Sequence, residues 1–408
     1  MRRHCAIGLF IAAVLAATAA GAEELSYAKI ERGKYLVQAG DCMACHTAPG
    51  GKPYAGGRAV ATPFGTIYSP NLTPDRDTGI GNWSDDDFYQ AMHNGIAPDG
   101  QRLYPAFPYP YFTRMTREDV LAIFAYLQTL QPVTNKRPPL EIVWPLKYRV
   151  FLRGWDWLFF QAGTFQADPQ KSAEWNRGAY LVEGAGHCGA CHTPKNTLGG
   201  DQASHSLQGG QLQNWFAPQI ANGARTGIGS WSEDDVVEYL KTGRNARSGA
   251  TGLMAEVVAN STSKLTDADL HGMAVYIKDQ SAAAPAPPAK PEQNVLDAGK
   301  AIYADSCAAC HQNNGEGVAR MFPPLKQNAN IQSADPTSVI RVIVEGARTV
   351  STKARPTPSS MPAFDWKLGD QEVAAVATYV RNAWGNQAAA VTAGQVASLR
   401  KELHAKLQ

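Results

Sequence analysis

Residues 42–46, Cys-Met-Ala-Cys-His, set the architecture of this chain, because the same pattern returns at residues 188–192 and 307–311. Each copy holds two cysteines three positions apart, with a histidine directly after the second. Two thiols at this spacing add to the two vinyl groups of one haem, and the adjacent histidine then reaches the iron from one face. The motifs predict three covalently bound haem c groups, attached through Cys42, Cys45, Cys188, Cys191, Cys307 and Cys310 and ligated by His46, His192 and His311.

Two other interpretations of a Cys-x-x-Cys pair carry less weight. A thioredoxin-like redox pair needs no histidine after it, and a zinc site usually brings two such pairs close together in the sequence. Here the pairs lie far apart and use six of the seven cysteines. The seventh, Cys5, lies in a segment that is predicted to be removed. Haem attachment is therefore the favoured interpretation.

Residues 1–22 are predicted to be an export signal peptide. Arg2 and Arg3 give a positive start, an apolar stretch runs over residues 6–17, and residues 20–22 (Ala-Gly-Ala) offer a cleavage site. A single membrane anchor is the alternative, but the apolar stretch is short for a span. The mature chain is expected to begin near Glu23, and no later stretch is apolar and long enough to cross a bilayer.

The first two thirds of the chain look like a duplication. Residues 32–37 match residues 177–182, and residues 79–84 match residues 227–232, in the same order around the motifs. A more divergent third unit follows a Pro/Ala-rich segment, which is typical of an extended spacer. The predicted organisation is a signal peptide (1–22), a first domain (23–135), an aromatic connector (136–170), a second domain (171–280), a linker (281–292), a third domain (293–387) and a C-terminal tail (388–408).

Each unit is predicted to follow one helical plan, with a leading helix before the motif and a closing helix after it. The leading helices carry Gly33, Gly178 and Gly299, and a close helix crossing accounts for glycine at these positions. Thr116-x-x-Asp119 and Thr266-x-x-Asp269 resemble capping boxes at the start of two closing helices. Strand signals are weak, so the fold is predicted to be all-α, with three tandem cytochrome c-like domains, each wrapped around one covalently attached haem.

A low-spin electron carrier needs a sixth iron ligand, usually methionine or a second histidine. Met361 in the third unit and Met254 in the second lie between the motif and the closing helix, and both are predicted to be ligands. The other ring nitrogen of each iron-binding histidine usually donates to a backbone carbonyl. Carbonyls at suitable distances along the chain belong to Pro70, Pro218 and Pro323 or Pro324.

The first unit departs from this pattern. Aligned on the second unit, it has Phe107 at the place of Met254, and phenylalanine cannot ligate iron. Met115 is the predicted substitute, while Met92 is expected to lie in the core and His93 at the surface. A five-coordinate iron is the other alternative.

Residues 32–36, 42–47, 73–84, 103–106, 186–196 and 361–364 resemble one family over nearly the whole mature chain: the three-haem cytochrome c subunits of membrane-bound bacterial dehydrogenases that oxidise alcohols, sugar acids such as gluconate, or aldehydes. The resemblance implies a large catalytic subunit that carries pyrroloquinoline quinone, flavin or a molybdenum cofactor. It also implies electron transfer through three haems to ubiquinone, at the periplasmic face of the cytoplasmic membrane. Many relatives have methionine where this chain has Phe107.

Composition and one aromatic segment bear on the partners. The formal net charge of +2 disfavours a nucleic-acid partner, which usually requires a strongly basic surface. Residues 143–160 are dense in Trp, Phe and Leu, with Lys147, Arg149 and Arg153 among them. Such a mixture suits a membrane surface or a partner subunit, and the alternative is a segment that packs its aromatic side chains between domains.

Three functions remain open from the sequence. An electron-transfer subunit is favoured. A peroxidase-like multihaem enzyme would need an open iron position with polar groups above it, and Phe107 is the one feature in its favour. A free periplasmic electron shuttle is the third, and the aromatic segment argues against it.

Overall fold

The computed structural model describes residues 26–282, 286 and 288–405, so the predicted signal peptide lies outside the described residues. Most of the regular structure is helical. The helices are α1 (26–39), α2 (Cys42–Cys45), α3 (Asp85–Asn94), α4 (Tyr109–Phe112), α5 (Arg117–Leu127), α6 (Leu152–Phe159), α7 (Ala173–Tyr180), α8 (Gly189–His192), α9 (Glu233–Thr242), α10 (Gly252–Asn260), α11 (Asp267–Asp279), α12 (Gln293–Ser306), α13 (Ala308–His311), α14 (Thr337–Glu345), α15 (Asp370–Val380) and α16 (Ala393–Ala405).

Seven short strands in the described residues make the all-α prediction too strict. They are β1 (Ala59–Thr62), β2 (Gly65–Tyr68), β3 (Glu141–Ile142), β4 (Gly210–Leu212), β5 (Trp215–Ala217), β6 (Ala347–Arg348) and β7 (Ser360–Met361). They form the antiparallel sheets β1-β2-β3, β4-β5 and β6-β7. Strands of two to four residues are too short to show the alternation by which a strand is recognised in a sequence.

The predicted close helix crossings are present in all three units. A Cβ atom on Gly33 would lie 1.8 Å from the carbonyl oxygen of Ala122, and one on Gly178 would lie 1.9 Å from that of Gly272. On Gly299 the distance to the oxygen of Ala375 would be 2.2 Å. These separations are far below van der Waals contact, so each leading helix meets its closing helix where only glycine fits.

The capping boxes predicted at the closing helices are only half formed. The hydroxyls of Thr116 and Thr266 accept hydrogen bonds from the amides of Asp119 and Asp269, each at 3.2 Å, so both are N-caps as predicted. The two carboxylates do not return to the cap residue. Each instead receives two hydrogen bonds from an arginine of its own leading helix: Asp119 from Arg32 and Asp269 from Arg177.

The second unit has one residue more than the first between its arginine and its motif. Arg177 and Cys188 are eleven positions apart, whereas Arg32 and Cys42 are ten apart. The extra residue is accommodated in a π-helical turn over Leu181–Ala185, which follows α7 directly. Such a turn is the usual way to insert one residue into a helix, and it keeps the helix and the motif in the same relation as in the first unit.

The buried residues form two main cores. The first two units share one, and helices α12, α14, α15 and α16 enclose the other. Val396, Leu399 and Leu403 are buried in the second core, so the stretch predicted to be a C-terminal tail packs on the third unit. Between the two parts, residues 288–292 have no regular structure. None of the described helices has the length and apolar character that a bilayer span requires.

Candidate functional site

Each Cys-x-x-Cys-His motif forms a single helical turn. This turn places the two cysteines on one side, because residues three apart are neighbours on a helix surface. The amide of each motif histidine donates to the carbonyl of the first cysteine. The donor–acceptor distance is 3.0 Å in all three turns, from His46 to Cys42, from His192 to Cys188 and from His311 to Cys307.

The imidazole of each motif is held by a proline carbonyl, as predicted. The distance from Nδ1 to the carbonyl oxygen is 2.8 Å for His46 and Pro70, 2.7 Å for His192 and Pro218, and 3.2 Å for His311 and Pro323. Burial lowers the pKa of all three histidines, which favours the neutral ring. With Nδ1–H as the donor, Nε2 keeps the lone pair that a metal requires.

The six motif cysteines are free and not joined in disulfides. Burial raises the pKa of Cys42 and Cys188 to about 12 and that of Cys45 and Cys307 to about 11. Within the described residues, no three His, Cys, Asp or Glu side chains come together as a metal site.

A continuous, mainly apolar cavity connects the second and third motifs. Met254 on α10 and Met361 on β7, the methionines predicted to ligate iron in the second and third units, both line it. The motif residues at its wall are Cys188, Cys191, His192, Cys307, Cys310 and His311. An apolar cavity that presents paired thiols, imidazoles and thioethers matches the donor set of covalently attached haem.

Residues that the sequence did not single out join the second and third units at this cavity. Trp215 and Phe216 of β5 form part of its wall, and the guanidinium of Arg341 lies 4.3 Å from the centre of the Trp215 ring. The Ser338 hydroxyl accepts from the amide of Phe216 at 2.9 Å and donates to its carbonyl at 3.0 Å. More than a hundred residues separate these partners, so no local pattern could have indicated the contact.

The first motif has different surroundings. Phe107 is half-buried, and its ring centre lies 5.4 Å from that of Phe112. Met115 has no exposed surface and lies in the helical core, where a Cβ atom on Gly184 would lie 3.6 Å from its Cγ. Met92 is in the core as expected, and His93 is half-buried. The structure therefore brings Met254 and Met361 to a cavity wall but encloses Met115 among helices.

Asp41 is a further buried group that the sequence did not indicate. It precedes Cys42 with a positive φ of 47°, lines the cavity of the second motif, and has a buried Oδ1 without a hydrogen-bond partner. Burial raises the pKa of Asp41 to about 8, and Glu256 adds to the rise, while Lys264 and Arg58 oppose it. This carboxyl lies where the first and second motifs approach one another.

Comparisons with known proteins agree with this geometry. The family model for cytochrome c matches residues 30–131 and 296–384. The chain is 40% identical to the gluconate 2-dehydrogenase cytochrome c subunit of Pantoea cypripedii, over 93% of this chain and 91% of that protein. It is 41% identical to the cytochrome c subunit of the quinone alcohol dehydrogenase of Gluconobacter oxydans (strain 621H), over 97% and 86%. Identity to the fructose dehydrogenase cytochrome subunit of Gluconobacter japonicus is 36%, over 91% and 82%.

The helical turns, the oriented imidazoles and the apolar cavity define a c-type cytochrome. The chain belongs to the family of cytochrome c subunits of bacterial dehydrogenase complexes, as its identity and coverage with the gluconate and alcohol dehydrogenase subunits show.

Proposed function

We propose that this chain carries electrons through three c-type haems, from the catalytic subunit of a membrane-bound dehydrogenase to ubiquinone. The cavity that joins the second and third motifs carries this proposal, because residues of both attachment sites line it. Bound haem supplies a one-electron carrier at each site. The chain itself attaches, orients and encloses these carriers.

Each motif residue has a defined task in this proposal. The cysteines at positions 42, 45, 188, 191, 307 and 310 would form the thioether attachments, and His46, His192 and His311 would each hold the iron through a ring nitrogen. Met254 and Met361 would hold the iron through their thioether sulfur, a ligand that favours the ferrous state and raises the reduction potential. At the first site Met115 stays the predicted ligand, and its side chain has no exposed surface.

The organisation into three haem units follows from the repeated plan. Each unit has a leading helix, a motif turn and a closing helix that crosses the leading helix at glycine. We assign the units to residues 23–135, 171–280 and 293–387, with α16 packed on the third. Residues 136–170 connect the first two units, and the segment 281–292 links the second to the third.

The partners of this chain are inferred from the names of its relatives. They are cytochrome subunits of dehydrogenases for gluconate and alcohol, so we assign this chain a large catalytic partner that oxidises an alcohol, a sugar acid or an aldehyde. That partner carries pyrroloquinoline quinone, flavin or a molybdenum cofactor. From the predicted signal peptide and the resemblance to cytochrome subunits of membrane-bound dehydrogenases, we assign the pair to the periplasmic face of the membrane, bound peripherally.

Purification from native membranes in mild detergent tests this assignment. The expected result is co-purification with a large subunit that contains one of these cofactors, three haems per cytochrome chain, and substrate-dependent reduction of a ubiquinone analogue. A cytochrome that emerges alone and in the soluble fraction would overturn the assignment and favour the electron shuttle. Hydrogen peroxide turnover by the isolated chain would favour the peroxidase.

A further inference from the structure

Exposed apolar side chains are concentrated on one part of this molecule. Of the twelve large apolar side chains that are exposed in the described part of the chain, eight lie on the connector between the first two units or against it. We call this set the connector surface; it consists of Val143, Trp144, Tyr148, Val150, Phe151, Trp157, Leu158 and Leu198. Single exposed apolar residues are ordinary, but a contiguous group marks a binding surface.

The connector that carries these side chains is anchored to the rest of the fold. Leu152 and Asp156 are the buried residues of α6, and Asp156 accepts a hydrogen bond from Tyr109 at 2.5 Å and pairs with Arg102 at 3.0 Å. Strand β3 pairs with β2 of the first unit, and the Trp155 indole donates to the carbonyl of Leu198 at 3.0 Å. The exposure is therefore a property of the folded connector and not of a loose loop.

Two of the aromatic side chains here are not packed between domains, whereas Phe159 packs on Gly200 of the second unit and Phe160 on Tyr109 of the first. Trp144 is 75% exposed and Trp157 is 84% exposed. The alternative that this segment buries its own aromatic side chains is therefore wrong for these two residues. Their indole rings are available to a surface outside the chain.

The connector surface also carries positive charge. Residues 136–160 contain five basic residues and two acidic ones, which gives +3, whereas the whole chain has +2. Of the two acidic residues, Asp156 is buried and paired with Arg102, so it does not offset the charge of the exposed basic residues. Lys136, Lys147 and Arg153 are exposed, and the Lys147 ammonium lies 5.2 Å from the centre of the Tyr148 ring.

We propose that the connector surface binds the anionic lipid surface of the membrane, with Trp144 and Trp157 inserted at headgroup level. Tryptophan and tyrosine favour this layer because one end of the ring is apolar and the other is polar, and lysine and arginine reach lipid phosphates from beside them. Lysine is depleted in protein–protein interfaces, so its presence here favours lipid over a protein partner. The inference rests on the proposed membrane-bound function and names the surface that makes the contact.

Vesicle sedimentation with the full haem-loaded cytochrome tests the proposal. The probes are phosphatidylcholine vesicles with and without phosphatidylglycerol, and the variant carries both Trp144→Ser and Trp157→Ser. Trp366→Ser is the matched control, because Trp366 is 82% exposed and lies on the third unit. We expect wild type and W366S to bind the anionic vesicles. The double variant should bind at least about tenfold more weakly, because two large apolar groups no longer leave water on binding.

Charge reversal separates the two parts of the contact. Lys147→Glu with Arg153→Glu should weaken binding to anionic vesicles at low salt, and high salt should weaken wild-type binding in the same direction. Unchanged visible spectra in every variant show that the fold and haem attachment are intact. Equal binding by wild type and the double tryptophan variant would overturn the proposal, as would equal losses in the double variant and W366S.

Detergent assays distinguish this inference from the proposed function. If the connector variants lose vesicle binding but still reduce a ubiquinone analogue in micelles with the catalytic subunit, both proposals stand. If the variants keep vesicle binding but lose the catalytic subunit, the surface is a protein interface and the lipid proposal fails. Wild type that does not bind anionic vesicles also overturns it, whatever the quinone activity.

Discussion

Tyr35 of the first unit donates a hydrogen bond from its hydroxyl to Asp269 of the second unit, at 2.5 Å. The same relation exists in the opposite direction, because Tyr180 of the second unit donates to Asp119 of the first, also at 2.5 Å. Both tyrosines lie in the repeated leading-helix sequence, and both aspartates follow the N-caps of closing helices. The duplicated units are therefore joined by a reciprocal exchange of tyrosine hydroxyls.

Removal of one hydroxyl tests this exchange. In Tyr180→Phe, Asp119 keeps its pair with Arg32 but loses one hydrogen bond to a charged acceptor. We expect a loss of about 1–2 kcal/mol in the free energy of unfolding, and a similar loss for Tyr35→Phe. Thermal unfolding of the haem-loaded protein measures both. Tyr27→Phe is the control, because Tyr27 is exposed, and unfolding temperatures equal to that control would contradict the account.

A substitution at Gly178 tests whether the crossing of α7 and α11 requires glycine. Gly178→Ala would place a methyl group 1.9 Å from the carbonyl oxygen of Gly272, so α7 and α11 must separate. We expect a destabilisation of about 1–3 kcal/mol or more, which is typical of overpacked cores. Gly154→Ala provides the comparison, because no atom lies within 4 Å of its Cβ position and alanine favours the helix. Similar unfolding temperatures for the two variants would show that the crossing tolerates a side chain.

The axial methionines are tested by substitutions that keep the volume. Met361→Leu and Met254→Leu remove a thioether but little packing, so we expect the midpoint potential of one haem to fall by on the order of 100 mV in each. Potentiometric titration followed in the visible spectrum measures this, and binding of carbon monoxide reports the opened iron position. Met92→Leu, a core methionine, should leave all three potentials unchanged. Unchanged potentials in M361L or M254L would remove that methionine from the ligand set.

Asp41 gives the protein a defined pH dependence. In the unfolded chain its pKa is near 3.8, whereas burial raises it to about 8 in the fold. Between about pH 4 and pH 8 the folded state holds this proton and the unfolded state does not, so the free energy of unfolding falls as the pH rises. Asp41→Asn should remove this contribution and raise the unfolding temperature at pH 8 by about 2 °C or more. The exposed Asp77→Asn is the control, and identical pH profiles for wild type and D41N would contradict the burial of an uncompensated carboxyl.

Local and periodic features were predictable from the sequence. The motif turns, the proline carbonyls that hold the histidines and the glycines at the helix crossings each depend on residues close in sequence or on the repeat. The contacts that the sequence did not reveal join distant residues. The arginine pairing of Asp119 joins the two ends of one unit. The packing of Arg341 on Trp215 and the burial of the Asp41 carboxyl oxygen depend on how complete units meet. The packing of α16 was missed because its three core positions are spread along a mostly polar helix.

Rapid mixing of the purified, substrate-reduced complex with a ubiquinone analogue tests the central claim most directly. The account predicts three haem equivalents per cytochrome chain, all reduced by substrate through the catalytic subunit and all reoxidised by the quinone at least as fast as steady-state turnover. Fewer than three reducible haems per chain, or reduced haems that the quinone does not reoxidise, would contradict it.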